Sequence, residues 1–568
     1  MSDVLFVVPS RAPEIKECFY GTMLLTTILR DKGIDATIYH FYEADKTKGF
    51  DSFVKDTVEN IIGRNPRIVS FYCRCDCFLA DVMIAKGIKE KSPETFIIFG
   101  GPQADTTSYK TLEELPWIDF CCRGEGETTV YPLFSALLNG TDYCSVEGLS
   151  YRDSQNNIIE NPTAPLIEDL DSVPVIDYDL LPKEALNNGF AVPFNVGRGC
   201  PFNCAYCSSS LFWKRKFRLH STDRIISEMN MLNEKYGFTK FRFEHDLFTA
   251  NKKRVLDFCE KLNATEKGYT WDCSSRIDTI DEETIEVMAK SGLKAIYLGI
   301  ETGSERMQKL ICKNLKISDV IDTVAILVKN KVIITASFMY GFPEETEEDL
   351  EATLQLALKL HHMGVKTLQF HLCAITPGTP YYYQYKDKLT FSVSHSNISG
   401  DFGIAEHKDF VEDHKDIFSF FFEYKSDLRD KYGELSPNAL DSLIVYDILC
   451  KLIPEKMKGT RILDVAESFI KTEAKEKEKL NRYKKALNYI NEKYTEKEAE
   501  KLKEIFRYLN VKYEAAVNTD FVNAIESFKF SINDFNKGKT LSEIAEGTSL
   551  AYLTKFQNKL NVKITYKD

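Results

Sequence analysis

Two runs of short apolar stretches, each followed by segments long enough for a helix, constrain this chain more than any other feature. In the first run, VLFVV (4–8) precedes GTMLLTTILRDKG (21–33), which carries an apolar face and stops at a glycine. ATIYHF, RIVSFY, FIIFGG and IDFCCRG follow, most of them separated by a helix-length segment. This alternation predicts a doubly wound parallel sheet with helices on both faces, since parallel neighbours need a crossover. Ligands of such sheets sit at the carboxyl ends of the strands, near the switch in strand order. The loops there are PSRAPEIKEC (9–18), CRCDC (73–77), GGPQAD (100–105) and RGEGET (123–128). They are rich in glycine and polar groups, as loops that admit a large cofactor would be.

Between Val146 and Pro182 the pattern becomes a small hairpin and then a proline-punctuated linker. The second run follows: AVPFNV (191–196), KFRF (240–243), YTWDCSS (269–275), AIYLGI (295–300), VIITASFMYG (332–341) and TLQFHL (367–372). Six such units suit a parallel, partly open barrel with its site at the strand C-termini. After about residue 386 the alternation stops. DIFSFFFEY (416–424) is aromatic and serves equally as core or as a surface for a peptide or amphiphilic small molecule, and a charged stretch beyond it keeps helical apolar spacing. The expected organisation is therefore α/β in 1–144, a hairpin and linker in 145–190, a partial (β/α)6 barrel in 191–385 and a mostly helical domain in 386–568.

At 568 residues the chain is too long for one ordinary domain. Its net charge of -12 argues against nucleic acid as the main partner. The longest apolar runs fall short of a membrane span, and MSDVLFVVPS lacks the basic region and cleavage site of a signal peptide. Fifteen cysteines without a secretion signal suggest the reducing cytoplasm.

Three of those cysteines crowd into GRGCPFNCAYC (197–207), directly after the first strand of the second run. Cys200, Cys204 and Cys207 have C-x3-C-x2-C spacing. Three thiolates in one tight loop ligate three irons of a four-iron cluster and leave the fourth iron open to a small chelating ligand. Zinc in a structural site wants a fourth protein ligand, and the nearest downstream candidate, His220, is isolated.

This loop, with an aromatic before its last cysteine, resembles the radical S-adenosylmethionine (radical SAM) superfamily. YTWDCSSRIDTIDEETIEVMAKSGLKAIYLGIETGSERM, MYGFPEETEEDLEATL and ITPGTPYY resemble later barrel segments of that superfamily. FIIFGGPQADTTSYKTLEELPWIDFCCRGEGETTVYPLFSALLNG resembles the cobalamin-binding, flavodoxin-like domain that precedes the barrel in one large class. The two resemblances span roughly residues 1 to 385. They imply a [4Fe-4S] cluster, S-adenosyl-L-methionine (SAM) and cobalamin as cofactors. No D-x-H-x-x-G occurs, and His40 is the only histidine before His220. The resemblance therefore implies cobalamin bound without a histidine under the cobalt. Thiolate ligation by Cys73, Cys75 or Cys77 is the less economical reading of CRCDC, whose small residues suit a tight cofactor loop.

The resemblance also assigns residues. Cys200, Cys204 and Cys207 hold the cluster. Tyr206 contacts the adenine. Glu244 and Asp246 face the methionine moiety or the substrate, with Asp246 equally placed to cap a helix starting near Asn251. Ser274, Arg276 and Glu301 match positions that bind the SAM carboxylate and ribose; for Arg276 a structural ion pair is the alternative. Gly341 and Phe342 let the backbone pass close to adenine. Ser10, Cys73, Arg74, Gly100, Gly101, Pro102, Gln103, Gly124, Glu125 and Gly126 line the corrin and its tail.

The expected activity is methyl transfer to an unactivated carbon of a peptide or small molecule, fed by a cytoplasmic electron donor. The alternative is oxidation, rearrangement or coupling without methyl transfer. An RNA methylthiotransferase would carry a different three-cysteine domain and a basic tail. A maturase with auxiliary clusters would need more than the two cysteines beyond residue 312, Cys373 and Cys450. For methyl transfer both cofactors must reach one substrate carbon, so the two ligand edges are expected to face each other.

Overall fold

The first run of apolar stretches forms β1 (Val4–Val8), β2 (Ala36–His40), β3 (Ile68–Tyr72), β4 (Phe96–Gly100) and β5 (Phe120–Cys122). The computed structural model describes residues 2–8, 20–40, 49–181, 191–392, 402–476, 480–496, 499–500 and 502–503. The five strands are parallel and lie in the order β2-β1-β3-β4-β5. That is the flavodoxin-like order, and it places a crevice between β1 and β3, where the strand order reverses. β1 is buried along its whole length, as a strand covered on both faces must be. The hairpin is not part of a free linker. Its strands β6 (Leu149–Arg152) and β7 (Ile158–Glu160) add antiparallel to β5 and extend the sheet to seven.

The second run begins with β8 (Val192–Asn195). A small clasp follows, β9 (Gly197–Arg198) against β10 (Arg218–Leu219), closing the cysteine loop between its arms. Then come β11 (Lys240–Glu244), β12 (Thr270–Ser275), β13 (Leu293–Glu301), β14 (Ile333–Tyr340) and β15 (Thr367–Leu372). The sheet runs β8-β11-β12-β13-β14-β15, every pair parallel and adjacent in sequence. Right-handed crossovers put all its helices on one face, so the sheet coils into an open barrel. The helix Glu347–His362 starts at a capping box in which Thr346 and Asp349 bond each other's backbone N–H.

A third pair, β16 (Leu389–Phe391) and β17 (Phe422–Tyr424), is antiparallel. The aromatic stretch 416–424 is core: Ile417, Phe418, Phe421 and Phe422 join one apolar cluster with the helices Phe50–Ile62 and Phe78–Lys91 and with Phe342 and Tyr381 of the barrel. Residues 1–436 accordingly form one compact unit, which includes the start of the segment read as a separate helical domain, up to Ser436. The second unit, from Pro437, is helical in its described part. Val445, Leu449, Val465, Phe469, Ala486 and Ile490 pack together there, and Lys485 is buried against Glu473 at 2.8 Å. Among the described residues no helix is long and apolar enough to cross a membrane.

Candidate functional site

A cavity of about 1560 Å3 lies between the carboxyl ends of the two sheets. Ordinary small-molecule pockets are roughly 300–1,000 Å3, so this one suits a large ligand or several together. Its walls come from the loops after β3, β4 and β5 on one side and from the ends of β8 to β15 on the other. The face-to-face arrangement required of the two ligand edges is therefore built into the first unit.

Cys200, Cys204 and Cys207 all line the cavity, and none of the three is in a disulfide. The loop is pinned on both sides. Ala205 N–H donates to Ile311 O at 3.0 Å, and Tyr381 N–H donates to Ala205 O at 3.2 Å. Gly199 has φ 84°, and a Cβ there would lie 2.0 Å from Lys216 O. Only glycine lets the two arms of the clasp approach this closely. Among the described residues no three His, Cys, Asp or Glu side chains converge on one ion position.

The barrel ends add a polar wall. Glu244, Asp246, Ser274, Arg276, Glu301 and Tyr206 all line the cavity. Asp246 caps no helix: Asn251 accepts the N–H of Arg254 and does so itself, while Asp246 accepts from Ser209 Oγ at 2.7 Å. Glu301 ends β13 with φ 68° and is buried. Its Oε1 lies 2.6 Å from Lys313 Nζ, and that ammonium reaches Tyr206 Oη at 3.4 Å. Burial, then the Glu301 charge, push the Tyr206 phenol well above its ordinary value, so it stays protonated. Gly299 leaves room for this pair, since a Cβ there would lie 2.7 Å from Glu301 Oε1. Arg276 is buried and held by Asp278 at 2.9 Å and by Lys313 O at 2.8 Å. Gly341 and Phe342 stand one layer back and do not line the cavity. Phe342 packs behind the Tyr206 ring, with centroids 6.0 Å apart.

On the sheet side, Gly100, Gly101, Pro102, Gln103, Gly124, Glu125 and Gly126 all line the cavity. Gly101 has φ 90°, and a Cβ there would press to 3.0 Å on Cys73 O and the Tyr72 ring. Asp105 accepts from Gly124 N–H at 2.6 Å, tying the two glycine loops into one cradle. Two side chains are committed elsewhere. Gln103 Nε2 donates to Ile417 O at 2.7 Å. The Glu125 carboxylate pairs with Arg198 and with Arg218 at 3.0 Å, and accepts Ile167 N–H at 2.6 Å. Burial opposes its charge, but the Arg218 hydrogen bond and the Arg198 charge hold its carboxyl below the ordinary value. Cys73 is fully buried beneath the loop and Arg74 is paired with Asp76 at 2.9 Å; neither lines the cavity, whereas Cys75 does. Ser10 lies outside the described residues.

Residues 194–357 match the family described as the Radical SAM superfamily. An uncharacterised methyltransferase of Pyrococcus horikoshii is 36% identical over 318 residues, covering 56% of this chain and 68% of the relative. The chain belongs to the radical SAM superfamily. An anaerobic magnesium-protoporphyrin IX monomethyl ester cyclase of Synechocystis is 32% identical over 366 residues, covering 61% of this chain and 70% of that one. Among solved structures, the cobalamin-dependent SAM radical enzyme OxsB, with aqua-cobalamin and SAM bound, superposes with TM-score 0.62. It is 15% identical, and the match covers 92% of this chain and 82% of that one. At that identity the likeness speaks for the fold alone.

Among the cavity-lining residues that were not singled out from the sequence are Lys313, His245 and Arg198. Lys313 sits in a turn where Cys312 and Asn314 have φ 56° and 59°. Nothing periodic marks it. His245 follows β11, lines the cavity and is buried, which pushes its imidazole down to about 4. Arg198 did carry a signal: a charge between two glycines, immediately before the cysteine loop.

Proposed function

We propose that this protein is a cobalamin-dependent radical SAM methyltransferase acting on an unactivated carbon of a small molecule or peptide. One observation carries this reading: a single cavity is lined both by the three cysteines at the barrel ends and by the glycine cradle of a flavodoxin-like sheet. The names of the Pyrococcus relative and of OxsB support it. When bound, the cluster supplies the electron that cleaves SAM, SAM supplies the radical that takes a substrate hydrogen, and the corrin carries the methyl group.

The chain positions these groups. Cys200, Cys204 and Cys207 hold the cluster. Tyr206 offers its ring and backbone to the adenine, with Phe342 supporting the ring from behind. Glu244, Asp246 and Ser274 present oxygens to the ammonium and hydroxyl groups of SAM. Lys313, neutralised by Glu301, faces the same space. The backbone of Gly100, Gly101, Pro102, Gln103, Gly124 and Gly126 cradles the corrin. Leu211, Tyr297 and Tyr383 line the cavity yet stay exposed. They are the apolar surface left for a substrate. The 402–424 segment packs against the helices Phe50–Ile62 and Phe78–Lys91, and a reduced flavin or iron–sulfur protein supplies the electron.

The cyclase relative favours a second reading, oxidative ring formation without methyl transfer. Anaerobic turnover with methyl-labelled SAM and a panel of aromatic and peptide substrates separates the two. Methyl transfer produces S-adenosylhomocysteine and 5'-deoxyadenosine in about equal amounts, because each turnover uses SAM twice. Substrate-dependent 5'-deoxyadenosine with S-adenosylhomocysteine at background would hand the assignment to the second reading.

A further inference from the structure

We infer that Arg276 is a positioning residue for the cluster, donating from its guanidinium to the Cys204 sulfur and so raising the cluster's reduction potential. This rests on the radical SAM reading and departs from the carboxylate-binding role that the family resemblance gives this arginine. Arg276 Nη1 lies 3.5 Å from Cys204 Sγ. The rest of the fork is already taken. Nε donates to Asp278 Oδ1 at 2.9 Å; Nη2 donates to Asp278 Oδ2 at 2.9 Å and to Lys313 O at 2.8 Å. A guanidinium has five N–H donors, and one remains. A bidentate grip on the carboxylate of SAM needs two parallel donors, so this fork cannot supply it without giving up the Asp278 pair or the Lys313 O bond.

The surroundings amplify the contact. The Phe202 ring covers one face of the guanidinium, 3.7 Å from Cζ to centroid. The Arg276 side chain is 7% exposed, while Asp278 is 40% exposed. Water therefore screens the carboxylate more than it screens the guanidinium. The net effect at the buried sulfur is positive. Hydrogen bonds and positive charge at cluster sulfurs stabilise the reduced state, because reduction adds negative charge there. Asp278 and Lys313 O fix the direction of the fork, and Phe202 lies inside the cysteine loop itself. The arrangement comes from the end of β12, from the turn at 313 and from the loop, and all three meet at one sulfur.

The test uses full-length protein with reconstituted cluster, as wild type, Arg276→Met and Arg276→Lys. The cluster midpoint is read by anaerobic titration with dithionite, followed by electron paramagnetic resonance. SAM affinity is read separately by equilibrium dialysis with labelled SAM. The midpoint should fall in Arg276→Met and fall less in Arg276→Lys, whose compact ammonium cannot span Asp278, Lys313 O and Cys204 at once. SAM affinity should change by less than about threefold. An unchanged midpoint in both variants overturns the inference. So does a loss of SAM affinity of about tenfold or more at unchanged midpoint, which restores the carboxylate contact. Should Arg276→Met take up no cluster, the Arg276→Lys midpoint decides by the same criterion. A wild-type protein that binds no cluster overturns this inference together with the family reading, a result distinct from a cluster whose potential ignores Arg276.

Discussion

Glu301 shows how much a single residue is made to bear. It is a non-glycine residue at φ 68°, a conformation that costs on the order of 1–3 kcal/mol and persists only where its surroundings hold it. Lys313, at 2.6 Å, is what holds it. Replacing Lys313 with Met leaves a carboxylate buried without its counter-charge. That variant should lose about 3 kcal/mol or more, read as a lowered denaturation midpoint of the apo protein; an unchanged midpoint would mean that water already satisfies Glu301. Glu345 supplies a pH-dependent case. Burial pushes its carboxyl from 4.5 up to about 8, although its Oε2 accepts the N–H of Gly341 and of Phe342. The folded chain keeps a proton that the unfolded chain has released. Its contribution to stability is therefore full below the ordinary carboxyl value, declines as pH rises, and is gone above about 8. Thermal melts should fall across that window in wild type. Glu345→Gln keeps an acceptor for the two N–H groups and should flatten the profile; an equal slope in both proteins would show that Glu345 is ionised when folded.

At the scale of elements, the clasp of β9 and β10 matters more than its four residues suggest. Arg198 on β9 pairs with Glu125 and Glu127 of the first sheet's last glycine loop, and Arg218 on β10 pairs with Glu125. All four side chains are nearly excluded from water. The loop that holds the cysteines and the loop that cradles the corrin are thus tied by one buried ion network. Removing one member of such a network costs about 3–5 kcal/mol, whereas its net worth against an apolar replacement is small. Arg198→Met should therefore destabilise strongly and loosen both loops. The measurement is hydrogen exchange at residues 123–130 and 197–207, which should speed up together. Faster exchange in one loop alone would show that the network does not couple them.

At the scale of the molecule, the continuous apolar cluster from the helices of the first sheet to the 402–424 segment makes residues 1–436 one folding body. A chain ending at 436 should keep a cooperative melt and bind the cluster. Loss of cluster binding in that truncation would place part of the site beyond Pro437. Ligation of the cobalt belongs to this scale as well. The histidine among the cavity-lining residues is His245, on the barrel side, and the first sheet presents glycine backbone instead. Cob(II)alamin bound to the protein should show no nitrogen superhyperfine splitting from a histidine in its electron paramagnetic resonance spectrum. Such splitting would require a histidine to reach the cradle.

The strands of the two sheets were legible beforehand, because burial on one face or both leaves a short apolar or alternating run and the crossovers leave helix-length spacers between such runs. The cysteine loop was legible for a related reason: its three ligands are local, and spacing alone states what they can hold. Partners were not legible. Arg198 meets Glu125 across 73 positions of sequence, Arg276 meets Cys204 across 72, and Lys313 meets Tyr206 across 107. No periodicity records such pairings, because the side chain needs only the right charge and the rest is loop geometry. The aromatic stretch 416–424 was ambiguous on its own, since an apolar run serves equally as core or as a substrate surface. Only the packing of Phe418 and Phe421 against the first sheet's helices made it core. Local chemistry thus determined the elements and the cluster loop, while long-range closure decided which charges meet, which cysteine of 73–77 faces the cavity, and that both ligand edges share one space.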